Sequence, residues 1–556
     1  ILDGKKALVY GEFEEEKENS TEESGTEESG QVNGTTDDNQ TGEGSGAEGD
    51  STGTDEEEPV MTYQVKALED IAYVPTIIIS RDPTKGGGAT LEPINLIGRK
   101  FTESFRGTST DKIYHLTTDS LAEDKVTVRI LKSEGEWEDK TEDVDFTVDR
   151  EAGTVTFQEA PGTSPVSGAD NVEITAAKER EGYRDRINLC RFSCIFGING
   201  AANRVFVSGN PDMKNSDWYC SLDDFTFFGD TWYSVLGQED SAITGYSVIN
   251  DKLAAHKSSS EEGRNIILRK GELTDSGVSF PVTGTLIGRG AFGWQTFGYL
   301  GDEPLFLTDL GVMAITAADL TGEKYSQNRS YYINGVLTEE AGLKDSYAFV
   351  WRDFYLLSVG NGRVYILDGL QKQYEQYSPY SSYQYECYYW DHVPARVMWE
   401  DETGALCFGD KEGNTFRFYD DKYDQASYND DGAAIAARWD FPDLPGKLFF
   451  KNKTFRRGAV MLAPAIATGV EVYVQKKGIW SHIFSSGAKA LYFDFTYINW
   501  EKINFSSDDT PRTMNFKMKI KKVDKVRFSL RNEAYNEPFG VYMFALEYTQ
   551  GSYYKG

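Results

Sequence analysis

The stretch Ser346–Gly369, SYAFVWRDFYLLSVGNGRVYILDG, predicts the repeating unit of the fold. Two apolar, aromatic-rich runs, Tyr355–Val359 and Val364–Leu367, flank the short link Gly360–Gly362. A Gly/Asn-rich link between two such runs is a strong β-hairpin signal. We therefore predict one β-hairpin here.

Similar hairpins recur along the chain. The turns near residues 250, 309, 361 and 412 are separated by 59, 52 and 51 residues. A period near fifty, with one clear hairpin and a looser second pair of strands, fits the four-stranded blade of a β-propeller. A large β-sandwich with regularly spaced hairpins is the alternative. The other paired runs are Ile243–Val248 with Leu253–Ala255, Leu305–Leu307 with Val312–Ile315, and Leu406–Phe408 with Phe416–Phe418.

Length and composition indicate several β domains. At 556 residues the chain is too long for one ordinary core. Its 33 Tyr and 32 Phe suit pleated, half-buried surfaces, and long helical patterns are scarce. We predict an all-β fold: a β-propeller with an inserted small β-sandwich and a C-terminal β-sandwich.

The predicted boundaries follow changes in composition and strand pattern. The inserted Ig-like sandwich is predicted from alternating strands and a clear hairpin turn at Arg150–Gly153. The segments are 1–11, the end of a propeller blade; 12–60, an acidic disordered insertion; 61–94, propeller or connecting strands; 95–180, the inserted sandwich; 181–428, propeller blades; and 429–556, the C-terminal sandwich.

The chain is strongly acidic, with a net charge of −32. Residues 12–58 alone contain 18 acidic residues and one Lys, with almost no apolar side chains. Such a segment cannot offset the entropy of ordering, so we expect it to be disordered, or alternatively to bind a basic partner. The overall charge argues against a protein that grips nucleic-acid phosphates.

The first residues repeat a motif from inside the chain. Ile1–Gly4 has the sequence ILDG, which recurs at Ile366–Gly369, where it ends a hairpin's outgoing strand. We therefore expect the chain to begin inside a blade, with earlier residues missing.

Cysteine usage and hydropathy exclude two classes of feature. The five cysteines have no zinc-type spacing, and we expect buried free thiols. The longest apolar run, Ala459–Val470, is short and contains Pro464, so no membrane span is predicted.

Three catalytic or cofactor motifs are weak here. Gly288–Gly293 matches GxGxxG, but the following Trp294–Tyr299 is predicted to be a strand rather than the helix that phosphate binding needs. The GxSxG match Gly49–Gly53 lies in the acidic insertion, where no strand-to-helix elbow is expected. The four histidines are far apart in the sequence, which disfavours a metal cluster: His115, His256, His392 and His482.

Carboxylate catalysis is harder to dismiss. Propellers host glycosidases, and two Asp or Glu side chains suffice for that reaction. Because acidic residues are abundant, such pairs carry little weight, and we assign no catalytic, cofactor-binding or metal-binding residue and no cofactor. The carboxylates considered are Asp223, Asp224, Asp230, Asp391, Glu400 and Asp401.

A basic band marks the C-terminal sandwich. A solvated strand face explains it better than a nucleic-acid site, because no series of stacking aromatics accompanies it. Its members are Lys517, Lys519, Lys521, Lys522, Lys525 and Arg527.

Several stretches together resemble a structural family of tailed bacteriophages called stabilisation proteins, similar in architecture to the tail nozzle or tubular proteins of short-tailed phages. They cover most of the chain except its last hundred or so residues. The stretches are Ala72–Gly88, Asn203–Asp212, Glu303–Thr316, Asn328–Leu337, Tyr385–Arg396 and Tyr428–Trp439.

The resemblance implies a non-enzymatic virion protein at the tail nozzle or head–tail junction, made in the host cytoplasm. It implies a ring, expected to be a hexamer, that contacts portal, adaptor or other tail proteins. DNA would pass through its channel without specific binding, since an acidic wall repels phosphates. The alternative function is a secreted or surface β-propeller that binds or hydrolyses glycans.

Overall fold

The computed structural model describes residues 1–14, 61–84, 86–258, 263–274, 277–315, 327–374, 383–421, 425–444, 450–463, 468–486 and 511–553. The predicted acidic insertion lies outside these ranges from residue 15 to residue 60. The chain forms two compact units, Ile1–Phe297 with Glu303–Asn328, and Gly298–Asp302 with Arg329–Gly556.

The fold is an all-β propeller type, as the sequence predicted. Most sheets are antiparallel meanders of strands adjacent in sequence. The described α-helices and 3-10 helices are all one turn long: α1 (Asp185–Asn188), α2 (Asn334–Leu337), and the 3-10 helices Leu68–Ile71, Ile198–Gly200, Trp294–Thr296, Tyr331–Ile333, Leu343–Asp345 and Gln425–Tyr428.

The first unit begins with an isolated pair of antiparallel strands, β1 (Leu8–Glu14) and β2 (Met61–Ala67). Two predictions are wrong here. The strand reaches Glu14, inside the range predicted to be disordered, because each of its residues is opposite a β2 residue. Residues 1–11 also do not end a blade, since β1 pairs with β2 in a sheet of two strands.

A β-sandwich follows, with a core of aromatic and branched side chains that includes Phe101, Phe105, Phe146 and Val155. Its sheets have the orders β6-β10-β9 and β4-β3-β5-β11-β7-β8. The strands are β3 (Thr76–Arg81), β4 (Ala89–Thr90), β5 (Lys100–Phe105), β6 (Ile113–His115), β7 (Thr127–Ser133), β8 (Glu136–Lys140), β9 (Phe146–Asp149), β10 (Thr154–Phe157) and β11 (Val172–Ala177).

The sandwich begins earlier than predicted. Residues 61–94 were expected to be propeller or connecting strands, but β3 pairs in parallel with β5 and β4 pairs with β3. Ile77 of β3 packs in the sandwich core. At the end of β3, Arg81 forms a buried ion pair with Glu103 of β5, with Nε and Oε2 3.4 Å apart. The apolar run in β3 did not reveal which sheet it would join.

The rest of the first unit consists of blade-like sheets. Their orders are β12-β13-β14-β15 and β16-β17-β18-β21, with β19 and β20 forming a small hairpin and β23-β24-β25 running antiparallel. Two clusters of buried side chains hold neighbouring sheets together, one with Phe206 and Leu253, the other with Ala254 and Phe306. The strands are β12 (Phe192–Ile195), β13 (Val205–Ser208), β14 (Ser216–Tyr219), β15 (Tyr233–Val235), β16 (Ile243–Ile249), β17 (Lys252–Lys257), β18 (Ile266–Arg269), β19 (Glu272–Thr274), β20 (Gly277–Ser279), β21 (Val282–Leu286), β23 (Glu303–Thr308), β24 (Gly311–Ala314) and β25 (Gln327–Asn328).

The second unit contains the hairpin predicted within Ser346–Gly369. Phe354–Ser358 pairs with Val364–Tyr374 across the predicted turn, in a sheet ordered β26-β27-β28-β29. A three-stranded sheet, β30-β31-β32, follows. The strands are β22 (Gly298–Leu300), β26 (Tyr347–Trp351), β27 (Phe354–Ser358), β28 (Val364–Tyr374), β29 (Tyr383–Trp390), β30 (Val397–Glu400), β31 (Leu406–Gly409) and β32 (Thr415–Arg417).

The C-terminal region is a sandwich of two antiparallel sheets, ordered β35-β40-β37-β38 and β39-β36-β41. Side chains from both sheets share one core, including Val472, Phe516 and Phe528. The strands are β33 (Asn429–Asp430), β34 (Ala433–Ala434), β35 (Ala437–Asp440), β36 (Lys451–Leu462), β37 (Val470–Lys476), β38 (Ile479–Ser486), β39 (Arg512–Val523), β40 (Arg527–Asn532) and β41 (Val541–Tyr553).

Among the residues described, no helix has the length and apolar character needed to cross a membrane.

Candidate functional site

A cavity of about 280 Å³ lies in the first unit, and aromatic side chains dominate its wall. We call it the aromatic cavity. Four separate parts of the chain build it: the N-terminal turn, the start of β12, the middle of β16 and the 3-10 helix Trp294–Thr296 with the residue after it. The lining residues are Leu2, Arg191, Phe192, Ser193, Tyr246, Trp294 and Phe297.

Two glycines allow the aromatic rings to sit where they do. A Cβ on Gly245, at a bulge in β16, would lie 2.3 Å from Cε2 of Phe297. A Cβ on Gly209 would lie 2.7 Å from Cε1 of Phe192, and the φ angle of +88° at Gly209 is one that other residues rarely adopt. The rings of Phe297 and Phe192 therefore occupy the space that a side chain at Gly245 or Gly209 would fill.

The rings form a partly open aromatic surface. The rings of Phe192 and Trp294 are stacked with centroids 6.5 Å apart, and the ring of Tyr246 meets Phe192 edge-on at 5.6 Å. Tyr246 and Phe192 are buried, whereas Trp294 remains 40% exposed. The indole thus offers a flat apolar face to a ligand.

Tyr246 links the cavity to a buried polar centre, which we define as Asp217, Tyr246 and Arg269. The tyrosine hydroxyl donates to Oδ2 of Asp217 at 2.9 Å, and Arg269 donates to both carboxylate oxygens of Asp217. Burial, followed by the charge of Asp217, holds the pKa of Tyr246 well above its ordinary value. The hydroxyl is committed to Asp217, so the tyrosine contributes its ring to the cavity.

Arg191 and Ser193 supply exposed polar groups beside the aromatic surface. The side chain of Arg191 lies against Gly4, where a Cβ would be 3.2 Å from both Cγ and Nε. Within the part of the chain that the structure describes, the guanidinium makes no ion pair or hydrogen bond. A charged fork beside a half-exposed indole is a suitable arrangement for binding a polar, ring-shaped ligand.

The structure does not bring the six considered carboxylates into this cavity. Asp223, Asp224 and Asp230 follow β14 in the first unit, and the others belong to the second unit. Asp224 caps its own turn through the backbone and hydroxyl of Thr226, at 2.8 Å and 2.6 Å. These three acids lie outside the wall of the aromatic cavity.

In the second unit, Asp391 binds Arg363 at 3.1 Å and Asp401 binds Arg417 at 3.0 Å. Glu400 lies at the end of β30. Hydrogen bonds from Thr403 and Ala405, together with Arg417, lower the pKa of Asp401. A glycosidase acid needs a raised pKa, so Asp401 is suited to capping its turn rather than donating a proton.

The other sequence motifs have structural roles. No helix longer than the single 3-10 turn Trp294–Thr296 follows Gly288–Gly293, and the strand predicted over Trp294–Tyr299 begins only at Gly298. The imidazole of His256 is fully buried between Phe297 and Phe306, and burial lowers its pKa to about 3. No three His, Cys, Asp or Glu side chains of the described residues are grouped to hold a metal ion.

The basic band does not have the features of a nucleic-acid binding site. Lys517, Lys519 and Lys521 alternate along β39 as exposed residues. Lys525 and Arg527 both pair with Asp443, at 3.2 Å and 3.5 Å. The band is a strand face that points to water and is partly neutralised.

Sequence reasoning missed the aromatic cavity. Its lining residues are spread from Leu2 to Phe297, and no motif joins them. The one available signal was Trp294, which directly follows the Gly-rich motif.

Comparison with known proteins gives distant structural matches. No family model and no curated protein matches the chain. Two structures of an exo-β-1,3-galactanase from Phanerochaete chrysosporium, both with β-1,3-galactotriose, are similar to it. The first has 8% identity and a TM-score of 0.20 and covers 83% of this chain and 96% of the galactanase. The second has 9% identity and a TM-score of 0.21, covering 84% and 97%.

These matches correct two sequence predictions. The sequence predicted that the protein is not an enzyme. It also predicted a structural protein of a phage tail. The matched structures are glycoside hydrolases, and only the β-propeller description is supported. We therefore withdraw the expectation that the protein has no enzymatic activity. At this TM-score the likeness assigns no activity to this chain.

Proposed function

We propose that the protein is a β-propeller that binds glycans at the aromatic cavity. The observation that carries this proposal is the indole of Trp294, which is 40% exposed and stacked beside Phe192. Ligand sites combine apolar and aromatic walls with a few placed polar groups, and Arg191 and Ser193 are such groups here. The flat apolar face of a sugar ring packs on an indole while its hydroxyls reach the polar rim.

The size of the cavity suits one sugar unit rather than an extended chain. Its volume of about 280 Å³ lies just below the range of about 300 to 1,000 Å³ that is usual for small-molecule pockets. A longer glycan would therefore place one residue in the cavity and leave the others on the surrounding surface.

Titration of the full chain with a panel of sugars tests this proposal. Intrinsic fluorescence and ligand-observed NMR would measure binding, and reducing-end release would measure hydrolysis. We expect Trp294→Ala to weaken binding at least about tenfold, which corresponds to ~1.4 kcal/mol. The matched control is Trp439→Ala, because Trp439 is also exposed but lies on β35 of the second unit. Equal affinities for the two variants, or no sugar bound by the native chain, would refute the proposal.

A second candidate function rests on the phage-like stretches. We propose as the alternative that copies of the chain form a ring, with six copies expected, in a bacteriophage tail or head–tail junction. The six stretches support it because they are distributed over both units of the chain rather than confined to one local motif. The net charge of −32 also suits a channel wall that DNA passes without adhering.

Mass photometry and negative-stain microscopy over a range of concentrations test this alternative. Rings with a central channel, joined by co-purified portal or adaptor proteins, would support it. A basic channel lining, or retention of DNA at low salt, would contradict the proposed role of the acidic wall.

A further inference from the structure

We infer that the sugar bound in the aromatic cavity carries a carboxylate, as in a hexuronic acid, and that Arg191 recognises it. This inference rests on the proposed glycan-binding function and specifies its ligand class.

Among the described residues, Arg191 is the only lysine, arginine, aspartate or glutamate in the wall of the aromatic cavity. It lies just before β12, with its backbone N–H bonded to the carbonyl of Ser208 at 2.9 Å. That bond fixes the start of the side chain, while the guanidinium has no acidic partner among the described residues. The described part of this acidic chain thus leaves the cation beside the cavity unneutralised.

The N-terminal turn fixes one side of this cation. Leu2 bridges to Ala7, and the carboxylate of Asp3 accepts hydrogen bonds from the backbone N–H groups of Lys5 and Lys6, each at 2.7 Å. Asp3 is therefore occupied inside its own turn. Gly4, with φ at +76°, lets the Arg191 side chain pass close to the backbone.

A single carboxylate is the partner that fits one guanidinium. The arginine fork donates two parallel hydrogen bonds to a carboxylate, and the charges then balance. A phosphate dianion would keep a surplus negative charge on a protein whose net charge is −32, which is unfavourable. A hexuronate supplies both the carboxylate for Arg191 and an apolar ring face for Trp294.

A comparison of three sugars that differ mainly in charge tests the inference. The full chain would be titrated with D-glucuronate, its methyl ester and D-glucose at low and high salt, with inorganic phosphate as a separate competitor. We expect glucuronate to bind at least about tenfold more tightly than the ester and to lose that advantage as salt rises. The variant Arg191→Met should bind acid and ester equally.

Two variants control for side effects. Arg289→Met removes another exposed arginine, one that pairs with Asp309 at 3.7 Å and lies outside the cavity wall, so it should keep the preference for the acid. Trp294→Ala should weaken acid, ester and glucose together. Loss of the acid preference in Arg191→Met alone would support the recognition role of Arg191.

The possible failures are distinguishable. If the acid, the ester and glucose bind equally, the carboxylate inference is overturned and the glycan-binding function stands. If phosphate competes as well as glucuronate, the site is a general anion site and the inference is likewise overturned. If no sugar binds in either charge state, both the inference and the proposed function fail.

Discussion

The buried polar centre and the aromatic cavity share Tyr246, but the arginine of the centre is buried and paired, whereas the arginine of the cavity is exposed. In the centre, Arg269 is fully buried, held by both oxygens of Asp217, with its guanidinium 5.2 Å from the ring centroid of Phe206. Beside the cavity, Arg191 is exposed and has no acidic partner among the described residues. A buried charge must be paired to be tolerated, whereas an exposed one can remain free for a ligand. Pairing, rather than residue type, separates the structural arginine from the candidate binding arginine.

The strongest way to break this comparison is to remove the acid of the buried centre. Asp217→Ala leaves Arg269 buried without its partner, so we expect a loss of about 3–5 kcal/mol in the free energy of unfolding. Urea unfolding followed by intrinsic tryptophan fluorescence would measure it. Asp309→Ala removes an exposed ion pair and should cost less than about 1 kcal/mol. Similar losses in both variants would show that the centre is not specially structural.

Tyr246→Phe distinguishes the role of the Tyr246 hydroxyl in the buried polar centre from the role of its ring in the cavity wall. It removes the hydroxyl that donates to Asp217 but keeps the ring in the cavity wall, so we expect a loss of about 1.5–3 kcal/mol in unfolding free energy. Sugar affinity should stay within about twofold of the native value, about 0.4 kcal/mol. The control is Tyr219→Phe, because that hydroxyl donates to a neutral carbonyl, that of Val278, at 3.3 Å. A large drop in affinity would mean that the hydroxyl serves the cavity.

Gly245→Ala tests the packing of the cavity wall. The new Cβ would overlap Phe297, so we expect a loss of about 1–3 kcal/mol in unfolding free energy and altered sugar binding. Gly284→Ala, on β21, is the control. A Cβ added at Gly284 would have no heavy atom of the described residues within 4 Å. Thermal unfolding and sugar titration measure both effects, and equal stability of the two variants would argue against tight packing at Phe297.

His256 extends the comparison to a second buried polar group. Its pKa is lowered by burial to about 3. Between about pH 6.5 and pH 3 the unfolded chain binds a proton that the folded chain excludes, so this residue makes stability fall by up to ~1.4 kcal/mol per unit as pH decreases. Urea unfolding at pH 7 and pH 5 should show a smaller drop for His256→Gln than for the native chain.

The smallest effect on stability is expected for Arg191→Met. An exposed side chain with no hydrogen bond or ion pair among the described residues contributes little to folding, so unfolding free energy should change by less than about 0.5 kcal/mol. Differential scanning fluorimetry at fixed pH would measure this alongside the sugar titrations. A loss comparable with that of Asp217→Ala would place Arg191 among the structural arginines.

Local sequence predicted the hairpins well. The paired runs around residues 250, 309, 361 and 412 all form antiparallel neighbours. Such turns depend on a few adjacent residues, for example Asn250 with φ at +54° and the glycines Gly360 and Gly362 at +71° and +97°. Because the strands that meet are close in sequence, pattern alone specifies them.

Long-range pairing was harder to predict. The strand pattern of residues 61–94 is visible in the sequence, but the sheet that β3 joins is not. Because β3 pairs in parallel with β5, part of this segment belongs to the sandwich. The first residues were assigned to a blade because ILDG recurs at Ile366–Gly369, but they form a small hairpin turn. A short motif specifies local conformation and says little about the sheet that it joins.

The sequence by itself determined the all-β class, the hairpin period, the two added sandwiches and the acidic charge, because these depend on composition and on contacts between near neighbours. Only the tertiary structure decided which arginine is buried and paired and which is left beside a cavity. Leu2, Arg191, Tyr246 and Trp294 are far apart along the chain and meet through the packing of separate strands and turns. Such a site arises from contacts between distant parts of the chain, so the spacing of its residues in the sequence does not predict it.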